Sequence, residues 1–261
     1  MGIFDTHAHY YKEDFGEELS GLLADLPSRN VSRVLAVGCD LASSEEEIAL
    51  AARYDYIYAA VGIHPEHAAE VPENWESELE RLLKRDKVIA LGEIGLDYHY
   101  PDGAPHDVQR GVFVKQLEIA KRLDKPVIIH SRDAMGDTLE ILKEYKPRGV
   151  MHCFSGSAET AREIVKLGMY VGFTGVLTFK NSKKARAACE AVPTDRLLLE
   201  TDCPYMAPVP HRGERCDSSM IAFTAAAMAG IKGVSAEEMV EIARMNGERL
   251  FFGTENFDEQ I

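Results

Sequence analysis

Several features that mark out particular classes of protein are missing from this chain of 261 residues. Its five cysteines are odd in number and include no CxxC pair, which disfavours a disulfide scaffold or a zinc ribbon. No apolar run reaches the roughly 18 residues of a membrane-spanning helix. The first residues also lack the basic and then apolar pattern of a secretory signal. We therefore expect a protein of the reducing cytoplasm, without a membrane segment.

Positive charge is scarce as well, since 29 lysines and arginines face 43 acidic residues and the formal net charge is −14. Such a chain repels a nucleic-acid backbone as a whole, which weighs against a protein that coats DNA. It does not exclude an enzyme that binds the end of a strand through metal ions and a few local arginines. Apolar residues, at 46%, suffice for a large core, and we expect residues 1–261 to form one domain.

Eight short β-rich runs alternate with amphipathic segments along the chain. Several are almost continuously apolar, as expected for parallel strands that are buried on both faces. The predicted strands cover residues 3–6, 34–39, 57–62, 88–92, 127–130, 150–153, 170–174 and 197–201. Between them, apolar residues recur at helical spacing, as in Phe113, Leu117 and Ala120 before Pro126. This pattern predicts an α/β fold, a single-domain (β/α)8 TIM barrel, with an open doubly wound sheet as the alternative.

The first predicted strand ends in two alternating histidines, His7 and His9. Alternation along a strand places both on one side together with Asp5, so that two imidazoles can converge on one metal ion. Taken alone, the pair also has a structural explanation, because histidines on a strand often only pack or form hydrogen bonds.

Four other predicted strands end in further residues of the types that bind metals. All strands of a barrel open on the same face, so these groups would meet at its mouth. Burying convergent carboxylates is costly unless a cation compensates their charge. The sequence therefore predicts a metal site at the mouth. Its predicted ligands are His7, His9, Glu93, His130, His152 and Asp202.

Strand order indicates how these six ligands divide between two ions. The paired histidines of the first strand can bind one ion with Asp202, since the first and eighth strands are neighbours in a closed barrel. His130 and His152, from the fifth and sixth strands, can bind the other ion, and Glu93 can bridge both. Two ions about 3.5–4 Å apart can clamp a phosphoryl or carbonyl centre and acidify a water molecule. Imidazole ligands favour Zn, Mn, Co or Fe over Mg.

At these residues the chain resembles the TatD family of metal-dependent deoxyribonucleases, within the amidohydrolase superfamily. The matching stretches, in family order, are residues 5–9, 62–65, 92–98, 130–132, 152–156 and 200–204. The resemblance implies that the six residues are metal ligands and that the reaction is phosphodiester hydrolysis. The commonest family expectation is 3′-to-5′ exonuclease action on DNA, with single-stranded ends as substrate and often with Mg. One stretch departs from the family, because residues 215–219 stand where its members usually continue through an Asn-Glu-Pro stretch after residues 210–213.

We expect a water molecule activated by the two ions to attack phosphorus in line. Asp202 would accept its proton as general base, and Glu93 would act as the bridging ligand. His64 has no metal position left to fill, so we assign it to a substrate oxygen. Arg132 and Arg212 could bind phosphate, although Arg132 could instead form a structural ion pair.

Asp5 and Glu200 lie on the same strand faces as predicted ligands. Each could orient a ligating histidine or take part in an interior salt bridge.

Two other hypotheses stay open. An amidohydrolase-type enzyme acting on a small carbonyl substrate, such as a lactone, an ester or a cyclic amide, would use the same barrel and metals. The arginines near the mouth favour phosphate, whereas the net charge favours the small molecule. A non-catalytic metal-binding scaffold would lack one of the six ligands, and all six are present.

Overall fold

Eight parallel strands form one sheet in sequence order in the computed structural model, which describes residues 2–253. The strands are β1 (Ile3–Ala8), β2 (Val31–Val37), β3 (Ile57–Val61), β4 (Val88–Asp97), β5 (Val127–Arg132), β6 (Gly149–Met151), β7 (Tyr170–Phe173) and β8 (Leu197–Leu199). The chain after β8 returns to β1: the Asp202 amide donates to the His7 carbonyl at 2.9 Å, and the His9 amide donates to the Cys203 carbonyl at 2.8 Å. The fold is therefore the predicted (β/α)8 barrel, and the open-sheet alternative is wrong.

Helices connect the strands on the outside of the barrel. In residues 2–253 they are α1 (Lys12–Phe15), α2 (Leu19–Asp25), α3 (Leu41–Arg53), α4 (Trp75–Leu83), α5 (His106–Arg122), α6 (Met135–Tyr145), α7 (Ala158–Lys166), α8 (Lys183–Ala191), α9 (Ile221–Lys232) and α10 (Ala236–Phe252). Within that range no single helix is long and apolar enough to cross a membrane. The segments Ser218–Lys232 and Ala236–Phe252 reach that length and composition only as a pair, which is bent by 101°.

The interior of the barrel is filled by alternate side chains of the strands and by the end of α10. This buried cluster comprises Phe4, Leu35, Val37, Ala60, Ala90, Ile128, Val150, Tyr170, Leu198, Leu250 and Phe251. Arg148, which directly precedes β6, donates to the carbonyl of Leu250 at 2.8 Å, so α10 ends at the N-terminal ends of the strands. A Cβ atom at Gly247 would lie 2.9 Å from the Phe4 ring, so a small residue lets the helix approach β1. The opposite, C-terminal end of the barrel stays open.

β4 is five residues longer than the predicted strand, which ends at residue 92. It stays paired with β5 through Gly95 opposite His130 and Asp97 opposite Arg132. Gly95 has a φ of +150°, and a Cβ atom there would lie 2.0 Å from the His130 carbonyl oxygen, so only glycine fits. The longer strand brings both Glu93 and Asp97 beside His130.

Candidate metal centre

Glu93 is the central group at the open end of the barrel, and it is only 4% exposed. Its Oε1 lies 2.8 Å from His130 Nδ1 and 2.6 Å from His152 Nε2. Its Oε2 lies 3.4 Å from His7 Nε2 and 3.7 Å from His9 Nε2. Each carboxylate oxygen of Glu93 therefore faces a different pair of histidines.

Asp202 adds a second carboxylate to the group around Glu93 Oε2. Its Oδ1 lies 3.6 Å from His7 Nε2 and 3.5 Å from His9 Nε2, and these two nitrogens are 3.0 Å apart. The backbone hydrogen bonds that join β1 to the chain after β8 fix this arrangement, because they involve His7, His9 and Asp202 themselves. The structure thus brings all six sequence-predicted ligands together, in the two groups that strand order indicated.

A hydrogen bond on the far side of the His9 imidazole determines which of its nitrogens faces the centre. His9 Nδ1 lies 2.7 Å from the Val37 carbonyl, which can only accept, so a neutral His9 has its lone pair on Nε2. His130 lies between two carboxylates that can each accept its N–H, with Nε2 3.2 Å from Asp97 Oδ2 and Nδ1 2.8 Å from Glu93 Oε1. The Nε2 lone pair of His9 therefore converges with the carboxylate oxygens of Glu93 and Asp202, at 3.7 Å and 3.5 Å. Buried acceptors without a donor between them are unfavourable unless a proton or a cation lies there.

The donor set fits divalent metal ions. Within residues 2–253, four groups of His, Cys, Asp and Glu have ligand atoms within 4.8 Å of one another, and every group shares a member with this centre. Imidazole nitrogens together with carboxylate oxygens are the ligands of Zn²⁺ and of the neighbouring transition metals. One group adds Cys39, whose Sγ lies 3.9 Å from His9 Nδ1 and which our sequence analysis missed.

The electrostatics of the centre favour ionised carboxylates. Burial alone would raise the pKa of Asp202, but a hydrogen bond from His9 and the nearby imidazoles lower it to about 2. The same imidazoles hold the pKa of Glu93 well below its usual range, in spite of burial. Burial opposes protonation of His130, yet Asp97 and Glu93 raise its pKa to about 9. Protons and metal ions therefore compete for the same imidazole nitrogens.

His64 lies next to this centre at the end of β3, with Nε2 3.8 Å from Glu93 Oε1. Its Nδ1 accepts a hydrogen bond from the Glu66 amide at 3.2 Å, so a neutral ring carries its proton on Nε2. That N–H faces the open cavity above Glu93. His64 therefore presents a hydrogen-bond donor to the cavity, and such a donor is compatible with its predicted contact to a substrate oxygen.

The two predicted phosphate-binding arginines differ in position. Arg132 lines the cavity, and its Nη1 donates to the Tyr100 hydroxyl at 3.1 Å. It has no carboxylate partner within 4.0 Å among residues 2–253, so no ion pair of Arg132 is found in that range. Arg212 does not line the cavity, because its guanidinium lies over the Phe179 ring at 4.6 Å.

Asp5 and Glu200 also differ from each other. Asp5 accepts hydrogen bonds from the hydroxyls of Thr201 at 2.6 Å and Ser218 at 2.7 Å, and among residues 2–253 it has no hydrogen bond to an imidazole and no salt bridge. It holds β1 to the chain that follows β8. Glu200 accepts a hydrogen bond from the Cys153 amide, and its Oε1 lies 3.7 Å from His152 Nδ1. Asp5 Oδ1 accepts from the backbone amide of His7 at 3.2 Å, so of the two only Glu200 lies beside the imidazole of a predicted ligand in the described residues.

Four residues of the site, Cys39 among them, were missed at the sequence level. Asp97 alternates with Glu93 along β4, and a longer predicted strand would have indicated it. Tyr100 and Tyr205 lie on the loops after β4 and β8, where composition alone gives no signal. Both line a cavity of about 780 Å³ above Glu93 that opens to solvent.

Comparison with known proteins agrees with this geometry. The family described as TatD related DNase matches residues 4–252. An uncharacterized metal-dependent hydrolase of Bacillus subtilis, YabD, is 41% identical over 252 residues, which cover 95% of this chain and 98% of the relative. A 3′-5′ ssDNA/RNA exonuclease TatD of Cronobacter sakazakii is 34% identical and is aligned over 79% of this chain and 80% of its own.

Among solved structures, the TatD homologue YjjV of Escherichia coli superimposes with a TM-score of 0.88 at 31% identity, covering 96% of this chain and 98% of that one. Coverage is nearly complete on both sides, so the likeness extends over the whole barrel and not only over the motifs at its mouth. The chain belongs to the TatD family of metal-dependent hydrolases.

Proposed function

We propose that this protein is a two-metal phosphodiester hydrolase, a 3′-5′ exodeoxyribonuclease that acts on single-stranded DNA ends. One observation carries the proposal: the two carboxylate oxygens of Glu93 each face a separate pair of imidazoles. A carboxylate in that position can bridge two ions. His7, His9 and Asp202 would complete the first site.

His130 and His152 would complete the second site. Two divalent ions held in this way would acidify a water molecule and neutralise charge on the phosphoryl oxygens. The protein itself supplies the remaining functions. Asp202, ionised at neutral pH, can accept the proton of the attacking water. His64 can donate from Nε2 to a phosphoryl oxygen.

Two observations support a nucleic-acid substrate over a small carbonyl compound. Arg132 lines the cavity, and only its contact with Tyr100 occupies any of its five N–H groups in the described part of the chain. A planar guanidinium with free donors suits a phosphate. A relative that is 34% identical over most of both chains bears the name of a 3′-5′ ssDNA/RNA exonuclease. Arg212, outside the cavity, would contact the strand away from the hydrolysed bond.

The test is hydrolysis of a 5′-labelled single-stranded DNA by protein loaded separately with Mg²⁺, Mn²⁺, Zn²⁺, Co²⁺ or Fe²⁺. We expect stepwise shortening from the 3′ end with release of mononucleotides. Chelation and His130→Ala should abolish it, whereas the exposed control Met245→Ala should not. Absence of cleavage with every metal would overturn the proposal. Turnover of a lactone or a cyclic amide by the same preparations would then favour the amidohydrolase alternative.

A further inference from the structure

Exposed large hydrophobic side chains are concentrated at the mouth of the barrel. In the described part of the chain six such residues are exposed: Tyr100, Tyr205, Met206, Val209, Phe223 and Met245. Tyr100 at 46%, Tyr205 at 58% and Met206 at 40% line the cavity above Glu93. We call these three residues, two tyrosines and a methionine, the exposed rim. Exposed apolar groups beside a polar catalytic centre indicate a surface for the apolar part of a ligand.

The rim has two halves on opposite sides of the mouth. Tyr100 follows β4, whereas Tyr205 and Met206 follow β8. Because the strands are arranged in sequence order around an eight-membered ring, β4 and β8 are diametrically opposed. The ligand groups on β1, β5 and β6 lie between them. A single strand of nucleic acid that crosses the mouth through the centre would therefore pass one tyrosine before the hydrolysed bond and the other tyrosine after it.

Backbone contacts hold the β8 half in place. The Tyr205 amide donates to the Asp202 carbonyl at 3.0 Å, which ties the tyrosine to a predicted metal ligand three residues earlier. Behind the loop, a Cβ atom at Gly175 would lie 2.1 Å from the Met206 carbonyl oxygen, so this glycine leaves room for the loop to pack closely. The position of Tyr205 is thus set by the same segment that sets Asp202.

Arg132 holds the β4 half. Its guanidinium lies over the Tyr100 ring at 5.2 Å, and its Nη1 donates to the Tyr100 hydroxyl. Arg132 lies over one face of the ring, the His99 ring lies at 83° to it with centroids 5.1 Å apart, and the Tyr100 side chain remains 46% exposed. The contact with Arg132 also places a phosphate-binding group directly beside an aromatic surface, which is the combination that single-stranded nucleic acid requires.

We propose that Tyr100 and Tyr205 each stack on one unpaired base, on opposite sides of the hydrolysed phosphodiester. This inference rests on the proposed function and adds two base-binding sites to it. Aromatic stacking accepts any of the four bases, because each has a π face. Inside a duplex, neighbouring base pairs cover both faces of each base and only the outer face of an end pair is open, so two tyrosines on either side of the bond favour single strands without reading their sequence.

Thymidine dinucleotides with one or both bases removed test the proposal. For TpT, Tyr205→Ala and Tyr100→Ala should each raise KM about 10-fold, the scale of one stacked base, with little change in kcat. Removing one base should abolish the effect of one variant, and removing the other base should abolish the effect of the other variant. Tyr205→Phe should behave as the wild type, because it keeps the ring. Met245→Ala is the matched control for an exposed apolar residue.

A dinucleotide that contains 2-aminopurine reports stacking without hydrolysis, since its fluorescence is quenched by an aromatic ring. Quenching that is lost in the alanine variants supports the two base sites even if no bond is cleaved, and only the proposed function then fails. Alanine variants that bind and cleave TpT like the wild type overturn the inference. So does an equal effect on the dinucleotide that lacks both bases, because the tyrosines would then act on the catalytic centre.

Discussion

Glu93 at the mouth and Glu248 at the other end of the barrel are both buried carboxylates, but their surroundings differ. Glu248 is 1% exposed and contacts two arginines, Arg33 and Arg244, the second with Nη1 2.5 Å from Oε2. In residues 2–253 Glu93 has no lysine or arginine within 4.0 Å, and its partners are all imidazoles. The chain supplies arginines at one end, and at the other it supplies only imidazoles, which can be neutral or protonated.

The difference suggests different consequences for the same substitution. At the closed end, Glu248 on α10 contacts Arg33 on β2 and Arg244 one helical turn earlier on α10. This charged network should therefore contribute to the stability of the fold. At the open end, imidazoles that can be neutral or protonated leave the balance of charge adjustable. Each prediction below is a way to break or sharpen this contrast.

The largest effect is expected for Glu93→Gln. An amide offers one acceptor oxygen and no charge, so it cannot bridge two ions. We expect kcat on single-stranded DNA to fall roughly 100- to 1000-fold, the range seen when a group that stabilises transition-state charge is removed. Elemental analysis should find one metal ion per chain or fewer. Glu248→Gln should keep both ions and its activity, and a Glu93→Gln protein that does the same would refute the bridging role.

Removal of metal should have the next largest effect. A ligand present at 100 times its Kd stabilises the folded state by about 2.7 kcal/mol. For a chain of this size that corresponds to a fall in Tm of roughly 5–10 °C on chelation. Chelation should lower the Tm of Glu248→Gln by the same amount, relative to the Tm of that variant with metal. It should lower the Tm of Glu93→Gln by much less. If chelation leaves the Tm of the wild type unchanged, the carboxylates at the mouth are balanced by protons alone.

Glu248→Gln should instead lower the free energy of unfolding in the absence of metal. Breaking a fully buried ion pair costs about 3–5 kcal/mol. Here the side chains of Arg33 and Arg244 are 33% and 21% exposed, so water compensates part of the loss. We expect about 2 kcal/mol, measured by urea unfolding with a chelator present. An unchanged free energy of unfolding would mean that packing of α10, and not the charge network, holds the closed end.

The sequence predicted the barrel and the six convergent groups because both depend on regular periodicity. Apolar strand runs recur in order, and a polar residue such as His130 or Asp202 follows directly where a run ends. Strand ends were less predictable. β4 continues beyond Glu93 because Gly95 allows the close approach to β5, whereas a charged residue that directly follows Gly92 resembles a strand terminus.

Contacts made by loops were not predictable from the sequence. Asp5 has the alternation of an orienting carboxylate, yet it binds the hydroxyls of Thr201 and of Ser218, which lies 213 residues away. Arg212 is near Asp202 in sequence, but the turn that follows carries it to Phe179 and out of the cavity. These contacts depend on the path of an irregular loop. Its residues show no periodicity from which that path could be predicted.

Glu47 on α3 shows a third way to balance a buried carboxylate. It is fully buried, its Oε1 accepts a hydrogen bond from the Tyr10 amide at 2.8 Å, and its Oε2 has no hydrogen-bond partner in the described part of the chain. No lysine, arginine or histidine lies within 4.0 Å among those residues. Burial raises the pKa of Glu47 to about 8. A proton therefore takes the place that arginines take beside Glu248.

The pH dependence expected for Glu47→Gln follows from that proton. The unfolded chain releases it near the usual pKa of 4.5, whereas the folded protein holds it up to about 8. Between these values the folded state binds more protons, so wild-type stability falls as pH rises, by at most about 1.4 kcal/mol per pH unit. Glutamine lacks this titration and keeps the acceptor for Tyr10. The free energy of unfolding, measured with urea in the presence of a chelator, should therefore rise for the variant relative to the wild type from pH 5 to pH 8. A difference that is constant with pH would mean that Glu47 is ionised and that a cation, not a proton, balances it.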